Sequence, residues 1–364
     1  TLVAWLLAIL LLLMVNYLSY RYYYRTDLTA TRFYSLTDKT LNLLRTLDTQ
    51  VRISVFFSPD HPFYSHISHL LEEYEYASRW IKVEYIDPHR DLTRMRELAS
   101  TYDLGEENVV VFDTGKAQMV IPERDLVKYE YDTIQVPPVP SKVYFRGEVV
   151  FSSAIRAVHA PSRPRVYFLQ GHDERDIGDF DEFTGYSEIA EAMRDDNIDL
   201  VALTIGENTA IPGDAEALII AGPARKISQP ELDLIRLYLE QSGRIIMLLD
   251  PLRGVGLETI LSDWGITLSK DLVLDTSHTL SGKEVVVTEF GAHPITDGLS
   301  SISTIFYLAR SVEPVAESVR DGNALNPARI TVLAATSENG WSESEITQSP
   351  LRYDPEQDRT CLLY

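Results

Sequence analysis

The segment Leu169–Glu174 carries the strongest chemical signal, because a glycine turn there presents a histidine and two carboxylates. A buried strand is predicted to end at Leu169, and the carboxyl ends of strands are where open α/β sheets place binding residues. Six carboxylates lie within the ten residues 173–182. These residue types suit a cation or a polar ligand. Their spacing matches no calcium-loop template, so a solvated loop without a specific ligand is the preferred interpretation.

A second polar turn, Leu249–Gly256, follows a predicted central strand and precedes a helix. Gly254 and Gly256 could approach a phosphate as in dinucleotide-binding turns. Position 259 is threonine, however, and the glycines come late after the strand, so this fingerprint is weak. A tight turn capped by Asp250 is the preferred interpretation.

His293 could supply a base, although a histidine directly before proline in a loop is more often part of a turn. The sequence contains no G-x-S-x-G elbow, no G-x-x-x-x-G-K-[ST] loop and no H-E-x-x-H helix. Its only cysteine, Cys361, excludes a disulfide or a Cys-based zinc site within the chain. We therefore predict no catalytic residue, no metal and no cofactor.

Strands and helices that alternate along residues 161–364 must position these turns. Such alternation predicts a parallel, doubly wound sheet. The predicted strands are Arg165–Leu169, Leu200–Thr204, Ala217–Ala221, Arg244–Leu249, Glu284–Glu289 and Ile330–Ala335. The predicted helices are Tyr186–Arg194, Gln229–Gln241 and Leu257–Asp263.

Residues 26–160 form a second predicted α/β domain, which begins with a helix capped by Thr37. Its strands and helices then follow in the order β-α-β-α-β-β, which is typical of a thioredoxin-like sheet. Ser58–Pro62 stand where a redox member would place its cysteine pair. The proline-rich stretch Val136–Pro140 predicts a loop or linker, and Gly147–Ala160 predicts an amphipathic closing helix.

The N-terminal residues predict a membrane anchor at residues 1–21. The segment Leu2–Tyr20 carries no charge and has about the ~20 residues that a helix needs to cross a bilayer. It lacks the A-x-A site of a cleaved signal, and the tyrosines and arginines of residues 20–25 resemble an interfacial belt. Arg21, Arg25 and Arg32 by themselves favour a cytoplasmic body.

The net charge of −21 lies mainly in the distal half of the chain. Residues 161–364 hold 16 Lys and Arg against 34 Asp and Glu, a difference of −18. Such a surface repels nucleic acid and anionic lipid headgroups. Proteins, cations or neutral ligands are the expected partners.

An ordered set of short motifs resembles a known family. The motifs are Asp27-Leu28-Thr29, Tyr34-Ser35-Leu36, the strand Val51–Ser58, Tyr85-Ile86-Asp87-Pro88, Gly147-Glu148, Ser153-Ala154-Ile155, Gly171-His172-Asp173-Glu174, Ala221-Gly222-Pro223, Leu249-Asp250-Pro251 and His293-Pro294-Ile295-Thr296. The set is similar to the auxiliary, or so-called substrate-binding, component of gliding-motility-associated ABC transport systems, the GldG-like family.

The resemblance implies that residues 161–364 form a class I glutamine amidotransferase-like, flavodoxin-like domain without its nucleophile. Asp250 and Pro251 stand where an active amidotransferase has its cysteine. Asp173 departs from the family pattern, which has glycine at this position. Members often carry a second membrane helix at the far C-terminus; none occurs before Tyr364, and the ending Cys361–Tyr364 is interpreted as a truncation.

The resemblance also implies a non-enzymatic accessory subunit in a bacterial inner membrane, with its body outside the cytoplasm. Its partners would be an ABC permease and, through it, an ATPase subunit. The cargo would be a small molecule, a sugar or a peptide, or there would be none. His172, Glu174 and Asp250 are the candidate ligand-binding residues. The alternative function is a membrane-bound hydrolase or amidotransferase-like enzyme that uses His172, Glu174 or His293.

Overall fold

The computed structural model describes residues 36–102, 104, 108–132, 139–160, 162–206, 210–277, 279, 283–299, 302–314, 330–344, 353–354 and 358–360, together with Trp5, Leu11 and Met14. Apart from those three residues, the predicted anchor Leu2–Tyr20 lies outside the described residues. None of the helices in the described ranges is long and apolar enough to cross a membrane. The chain divides into two compact units, residues 1–113 with 120–148 and residues 114–119 with 149–364.

The first unit combines helices with a mixed sheet. The helices are α1 (Asp38–Thr46), α2 (Tyr64–Ala77) and α3 (Leu92–Tyr102), and a short 3-10 helix spans Glu123–Leu126. The strands are β1 (Val51–Phe56), β2 (Ile81–Ile86), β3 (Val109–Asp113), β4 (Gln118–Pro122), β5 (Val127–Asp132) and β6 (Val139–Phe145). Helix α4 (Gly147–His159) starts at the end of this unit and continues in the second.

The four-stranded sheet of the first unit has the order β2-β1-β3-β4. Strands β1 and β2 run parallel, whereas β1 and β3 run antiparallel. The predicted element order is confirmed, as is the start of α1, where the Thr37 hydroxyl accepts the backbone N–H of Thr40 at 3.3 Å. Alternate residues of the strands, including Phe56 and Val111, pack against α3. Because successive side chains of a strand point to opposite faces, these alternate residues share the face that packs against that helix.

Val136–Pro140 is predicted to be a loop or linker. This prediction is wrong for its last two residues, and residues 136–138 lie outside the described residues. Val139 and Pro140 begin β6, which pairs antiparallel with β5. Proline lacks an N–H to donate, but a two-stranded ribbon can place it at an irregular position. The pairing register shifts between Glu130 and Tyr131, and Pro140 faces Tyr131 immediately after that shift.

The second unit begins with a parallel sheet and ends in short antiparallel pairs. Its helices are α5 (Ser187–Asp195), α6 (Gln229–Glu240) and α7 (Leu257–Asp263). Its first strands are β7 (Arg165–Gln170), β8 (Asp199–Thr204), β9 (Ala215–Ala221) and β10 (Ile245–Leu248). The later strands are β11 (Ile266–Leu268), β12 (Leu272–Asp275), β13 (Glu284–Val287), β14 (Thr304–Tyr307), β15 (Val312–Pro314), β16 (Gly340–Glu343) and β17 (Arg359–Thr360).

The parallel sheet has the order β10-β9-β7-β8, and helices cover both of its faces. Leu169 and Ile220 lie in one core with residues of α6 and α7. Phe168 and Ile219, their neighbours in sequence, lie in a separate core that includes Met193 of α5. A strand buried on both faces has a continuous run of apolar residues instead of alternating apolar and polar residues. Such runs in β7 and β9 predict these strands from the sequence.

Three predictions about the strands of this unit are wrong. Ile330–Ala335 does not form a strand, and Ala334 makes only an isolated bridge with Phe290. The prediction that a central strand precedes Asp250 also fails, because β10 lies at the edge of the described parallel sheet. The strand expected to continue that sheet, β13, pairs antiparallel with β14 instead. Short apolar runs do not specify their pairing partner, so sequence periodicity could not reveal this change.

The parallel sheet offers a matched test of its core. Ile220 in β9 is 0% exposed and Ile246 in β10 is 52% exposed. Ile220→Ala should lower the free energy of unfolding by about 2–5 kcal/mol, because it leaves a cavity between the sheet and helices α6 and α7. Ile246→Ala should cost less than about 1 kcal/mol. Urea denaturation measures both, and equal losses would contradict the observed burial.

Candidate functional site

The order of the parallel strands reverses between β7 and β9. The chain passes from β7 to its neighbour β8 on one side and then to β9 on the other. In open α/β sheets, ligands bind outside the carboxyl ends of the strands at such a reversal. The loop that begins at Gly171 follows β7, and Gly222 follows β9. The predicted candidate motif therefore lies at this edge of the sheet.

Backbone hydrogen bonds tie these two strand ends together. The carbonyl of His172 accepts the N–H groups of Ala224 at 2.8 Å and Arg225 at 3.0 Å. In return, the Arg175 N–H donates to the carbonyl of Ala221 at 2.8 Å. These bonds give partners to groups that the ends of the strands leave open. The loop after β7 is thus held in place by its neighbour strand.

The imidazole of His172 is buried between two carboxylates. Its Nδ1 lies 2.9 Å from Glu174 Oε1, and its Nε2 lies 3.2 Å from Glu231 Oε2. Glu174 Oε2 also accepts the backbone N–H of His172 at 2.7 Å. Glu231 belongs to the first turn of α6, so His172 links the loop after β7 to the start of that helix.

This arrangement limits what His172 can do chemically. Each ring nitrogen of His172 already contacts a glutamate carboxylate. A general base must reach the proton that it removes, so His172 would have to break one of these contacts before it could act on a reactant. In the observed arrangement, His172 and Glu174 hold the loop rather than contact a reactant.

The structure brings two of the three predicted ligand residues together. His172 and Glu174 contact each other, whereas the third, Asp250, faces Arg175 with 3.7 Å between Oδ2 and the guanidinium NH2. Both of these charged side chains are partly exposed. A Cβ at Gly222, where φ is +59°, would lie 3.3 Å from Arg175 Nε and 3.6 Å from Asp250 Oδ2. That His172, Glu174 and Asp250 bind a ligand stays a prediction.

The expectation that Asp250 caps the turn after β10 is wrong. Glu258 has this role at the start of α7, where its carboxylate accepts the N–H of Val255 at 3.1 Å and of Gly256 at 2.7 Å. The same N–H groups would have to cradle a phosphate in a dinucleotide-binding turn. Because a carboxylate already bonds them and would repel a phosphate, the turn is unsuited to that ligand.

The backbone at Asp173 adopts a left-handed conformation. Its φ is +58°, which glycine adopts without strain and which aspartate tolerates better than most residues. The Asp173 carboxylate pairs with Arg225, whose Nε lies 2.6 Å from Oδ2. The turn after β7 is therefore formed with an aspartate at this position.

The carboxylates of residues 173–182 bond mainly to nearby backbone groups. Asp176 Oδ1 accepts the Gly178 N–H at 2.8 Å, and Asp181 Oδ1 accepts the Thr184 N–H and hydroxyl, each at 2.8 Å. The Thr184 hydroxyl and the backbone N–H groups of Thr184 and Phe183 lower the pKa of Asp181. In the part of the chain that the structure describes, no group of three or more His, Cys, Asp or Glu could hold a metal ion.

His293 is part of a turn, as preferred from the sequence. Its Nδ1 accepts the Ile295 N–H at 3.2 Å, and its carbonyl accepts the Thr296 N–H at 2.9 Å. The ring nitrogen of His293 is thereby directed at its own backbone.

Sequence reasoning missed Glu231 and Arg310. Glu231 follows Ser228 by three residues, a spacing that signals a capping box, and the Ser228 N–H and hydroxyl both donate to it. Arg310 is buried and donates to the carbonyls of Asp250, Arg253 and Ser269. Burial lowers its pKa, while the nearby Glu258 and Asp271 act in the opposite direction. Since its bonded partners are carbonyls, no motif could have revealed it.

The histidine between two glutamates should stabilise the second unit. His172→Leu leaves the buried Glu174 without the ring donor, so we expect a loss of about 3 kcal/mol in the free energy of unfolding. His293→Leu removes a histidine that contacts only its own turn among the described contacts and should cost less than about 1 kcal/mol. Urea denaturation compares the two. Similar losses would show that the contacts of His172 do not stabilise the fold.

Because of Glu231, we expect the free energy of unfolding of the second unit to fall as the pH is lowered into the acid range. Burial acts to raise its pKa, but hydrogen bonds from Ser228 and His172 outweigh burial and lower the pKa below its ordinary value of 4.5. Its contribution is therefore complete above pH 4.5 and is lost as the pH falls through the lowered pKa. The stability difference between wild type and Glu231→Gln should shrink in that range.

Urea denaturation at several pH values measures this difference. Ser228→Ala removes one of the donors and should weaken the same pH dependence. A difference between wild type and Glu231→Gln that stays constant down to acid pH would contradict the prediction.

Comparison with known proteins places these features in a family. No curated protein matches the chain. Among solved structures, the mmIFT52 N-terminal domain is similar at 17% identity and a TM-score of 0.36, covering 48% of this chain and 74% of that one. Residues 30–124 match a domain family of unknown function, DUF7088. Residues 163–360, more than half of the chain, match the auxiliary-component family described as an ABC-type uncharacterized transport system, and the chain belongs to that family.

Proposed function

We propose that this chain is a non-enzymatic, membrane-anchored, extracytoplasmic subunit of a gliding-motility-type ABC transporter. The observation that carries the proposal is the family match over residues 163–360, which makes the chain an auxiliary component of an ABC-type transport system. A separate permease would pair with it, and another subunit would hydrolyse ATP. The absence of a P-loop motif from the sequence supports this division of labour.

A binding role fits the edge of the parallel sheet better than catalysis does. Both ring nitrogens of His172 face carboxylates, and His293 accepts a hydrogen bond in its own turn. Neither histidine is paired with a Ser, Thr or Cys nucleophile in the described contacts. The hydrolase or amidotransferase-like alternative would need these bonds to be broken before any proton transfer.

The finer fold assignments belong to the proposal as well. The sheet order β2-β1-β3-β4, with β3 antiparallel to β1, supports a thioredoxin-like first domain. The parallel order β10-β9-β7-β8, with helices on both faces, supports a flavodoxin-like domain related to class I glutamine amidotransferases. With Asp250 and Pro251 in place of a cysteine, such a domain would bind rather than form a thioester.

A polar ligand would meet Asp250 and Arg175 first. Their charged groups are partly exposed, whereas His172 and Glu174 are buried beneath the loop. We propose that Asp250 contacts the ligand directly and that His172 and Glu174 hold the loop against which it rests. As in the sequence analysis, the cargo would be a small molecule, a sugar or a peptide, or there would be none.

The anchor places the body on one side of a bacterial inner membrane. The uncharged segment Leu2–Tyr20 supports a membrane helix. Arg21, Arg25 and Arg32 favour a cytoplasmic body, but large domains translocate regardless of nearby charges. We follow the family resemblance and place the body outside the cytoplasm.

Copurification from native membranes tests the proposed assembly. A tagged full chain, extracted in mild detergent, should recover an ABC permease together with an ATPase subunit. Deletion of residues 1–21 should release the chain from the membrane and abolish recovery of the permease. Recovery of the full chain without a permease or an ATPase would overturn the proposal.

Accessibility labelling tests the side of the membrane. Cys361→Ser removes the only cysteine, and Glu240→Cys then adds a thiol at an exposed position at the end of α6. A membrane-impermeant maleimide should label it in intact spheroplasts. Ile220→Cys at the buried position should react only after denaturation, which controls for leakage and unfolding. Labelling of Glu240→Cys only after lysis would place the body in the cytoplasm.

A further inference from the structure

Two phenylalanines on the loop between β7 and α5 are almost fully solvent-exposed. Phe180 is 88% exposed and Phe183 is 89% exposed, the highest values for large apolar side chains in the described part of the chain. Full burial of such a side chain is worth about 1.5–3 kcal/mol, so their exposure forgoes a substantial gain. Exposed apolar groups rimmed by polar residues are typical of interaction surfaces.

The loop that carries these rings is held in a defined shape. The Tyr186 N–H donates to the carbonyl of Asp176 at 3.1 Å, which closes the segment at its base. Inside it, Asp181 Oδ1 accepts the Phe183 N–H at 3.0 Å as well as two donors from Thr184. The ring of Phe183 is thus displayed by a backbone that is already ordered, which lowers the entropy cost of binding.

The charge around the rings selects the partner. Exposed carboxylates at Asp176, Asp179, Asp181 and Glu182 flank the two phenylalanines. Residues 161–364 hold 16 Lys and Arg against 34 Asp and Glu, a difference of −18. A second copy of this chain would therefore be repelled. Anionic lipid headgroups would be repelled for the same reason. A protein surface with an apolar pocket bordered by Lys and Arg fits both features.

We propose that residues 176–184 are a docking knob, in which Phe180 and Phe183 enter an apolar pocket of a partner protein whose rim is basic. The carboxylates steer the approach, and the rings supply the affinity. This interaction goes beyond the proposed function, since it does not require the partner to be a transporter subunit.

Site-specific photocrosslinking tests the docking knob in the full chain. Benzoylphenylalanine replaces Phe183 in cells of the native host, and mass spectrometry identifies the crosslinked peptide. We expect an adduct with one protein, at a peptide in which Lys or Arg flank apolar residues. Phe180→Ala should reduce the adduct by more than about tenfold, and Glu182→Lys should reduce it to a smaller but measurable extent. Because these side chains are exposed, the variants should fold normally.

Two controls make the outcome decisive. Glu240→Lys makes the same charge change at another exposed position and should leave the yield unchanged. A photoprobe at Leu237, which is 48% exposed on α6, measures random capture. The proposal is overturned by adducts with a second copy or with lipid, by yields no higher than at Leu237, or by yields that Glu182→Lys leaves unchanged.

Discussion

Neighbouring parallel strands that lead to different loops leave backbone groups at their ends, and these groups must find partners. At the ends of β7 and β9 they bond to each other across the reversal in strand order, through His172, Ala221 and Arg225. Gly171, with φ at +126°, and Asp173 give the loop the turn that these bonds require. The positions of Glu174, Arg175 and the helix α6 all depend on this connection. The carboxylates of Glu174, which is buried, and of Glu231, which is partly exposed, then enclose the imidazole of His172 and fix the loop to that helix.

The need of backbone N–H groups for hydrogen-bond partners also explains why so many acidic residues form no metal site in the described residues. Loops need acceptors for their N–H groups, and short carboxylate side chains supply them locally. Asp176, Asp181 and Glu258 each accept backbone N–H groups within three residues of themselves. Oxygen atoms bonded in this way point toward the chain instead of toward a common centre. A high density of Asp and Glu is therefore compatible with loop formation alone.

The sequence predicted the elements whose pattern is local. Buried runs such as β7, and the capped helix α1, were found close to their observed bounds. The antiparallel pairing of β13 with β14 and the edge position of β10 were missed, because pairing depends on distant residues. For the candidate site, the loop after β7 and its glycine turn were predicted correctly. Glu231 was missed although its spacing from Ser228 is that of a capping box. Arg310 was missed because its partners are backbone carbonyls, which leave no signal in the sequence.

Internal hydrogen bonds at the strand reversal of the second unit hold its loop in place and occupy the polar groups that could otherwise react. His172 must break a contact with Glu174 or Glu231 before it can exchange a proton with any other group. The partly exposed pair of Arg175 and Asp250 can instead exchange partners without moving the backbone, since both side chains already reach solvent. Recognition of a polar group at this edge thus costs less than catalysis would. This difference supports the proposed binding role over the hydrolase or amidotransferase-like alternative.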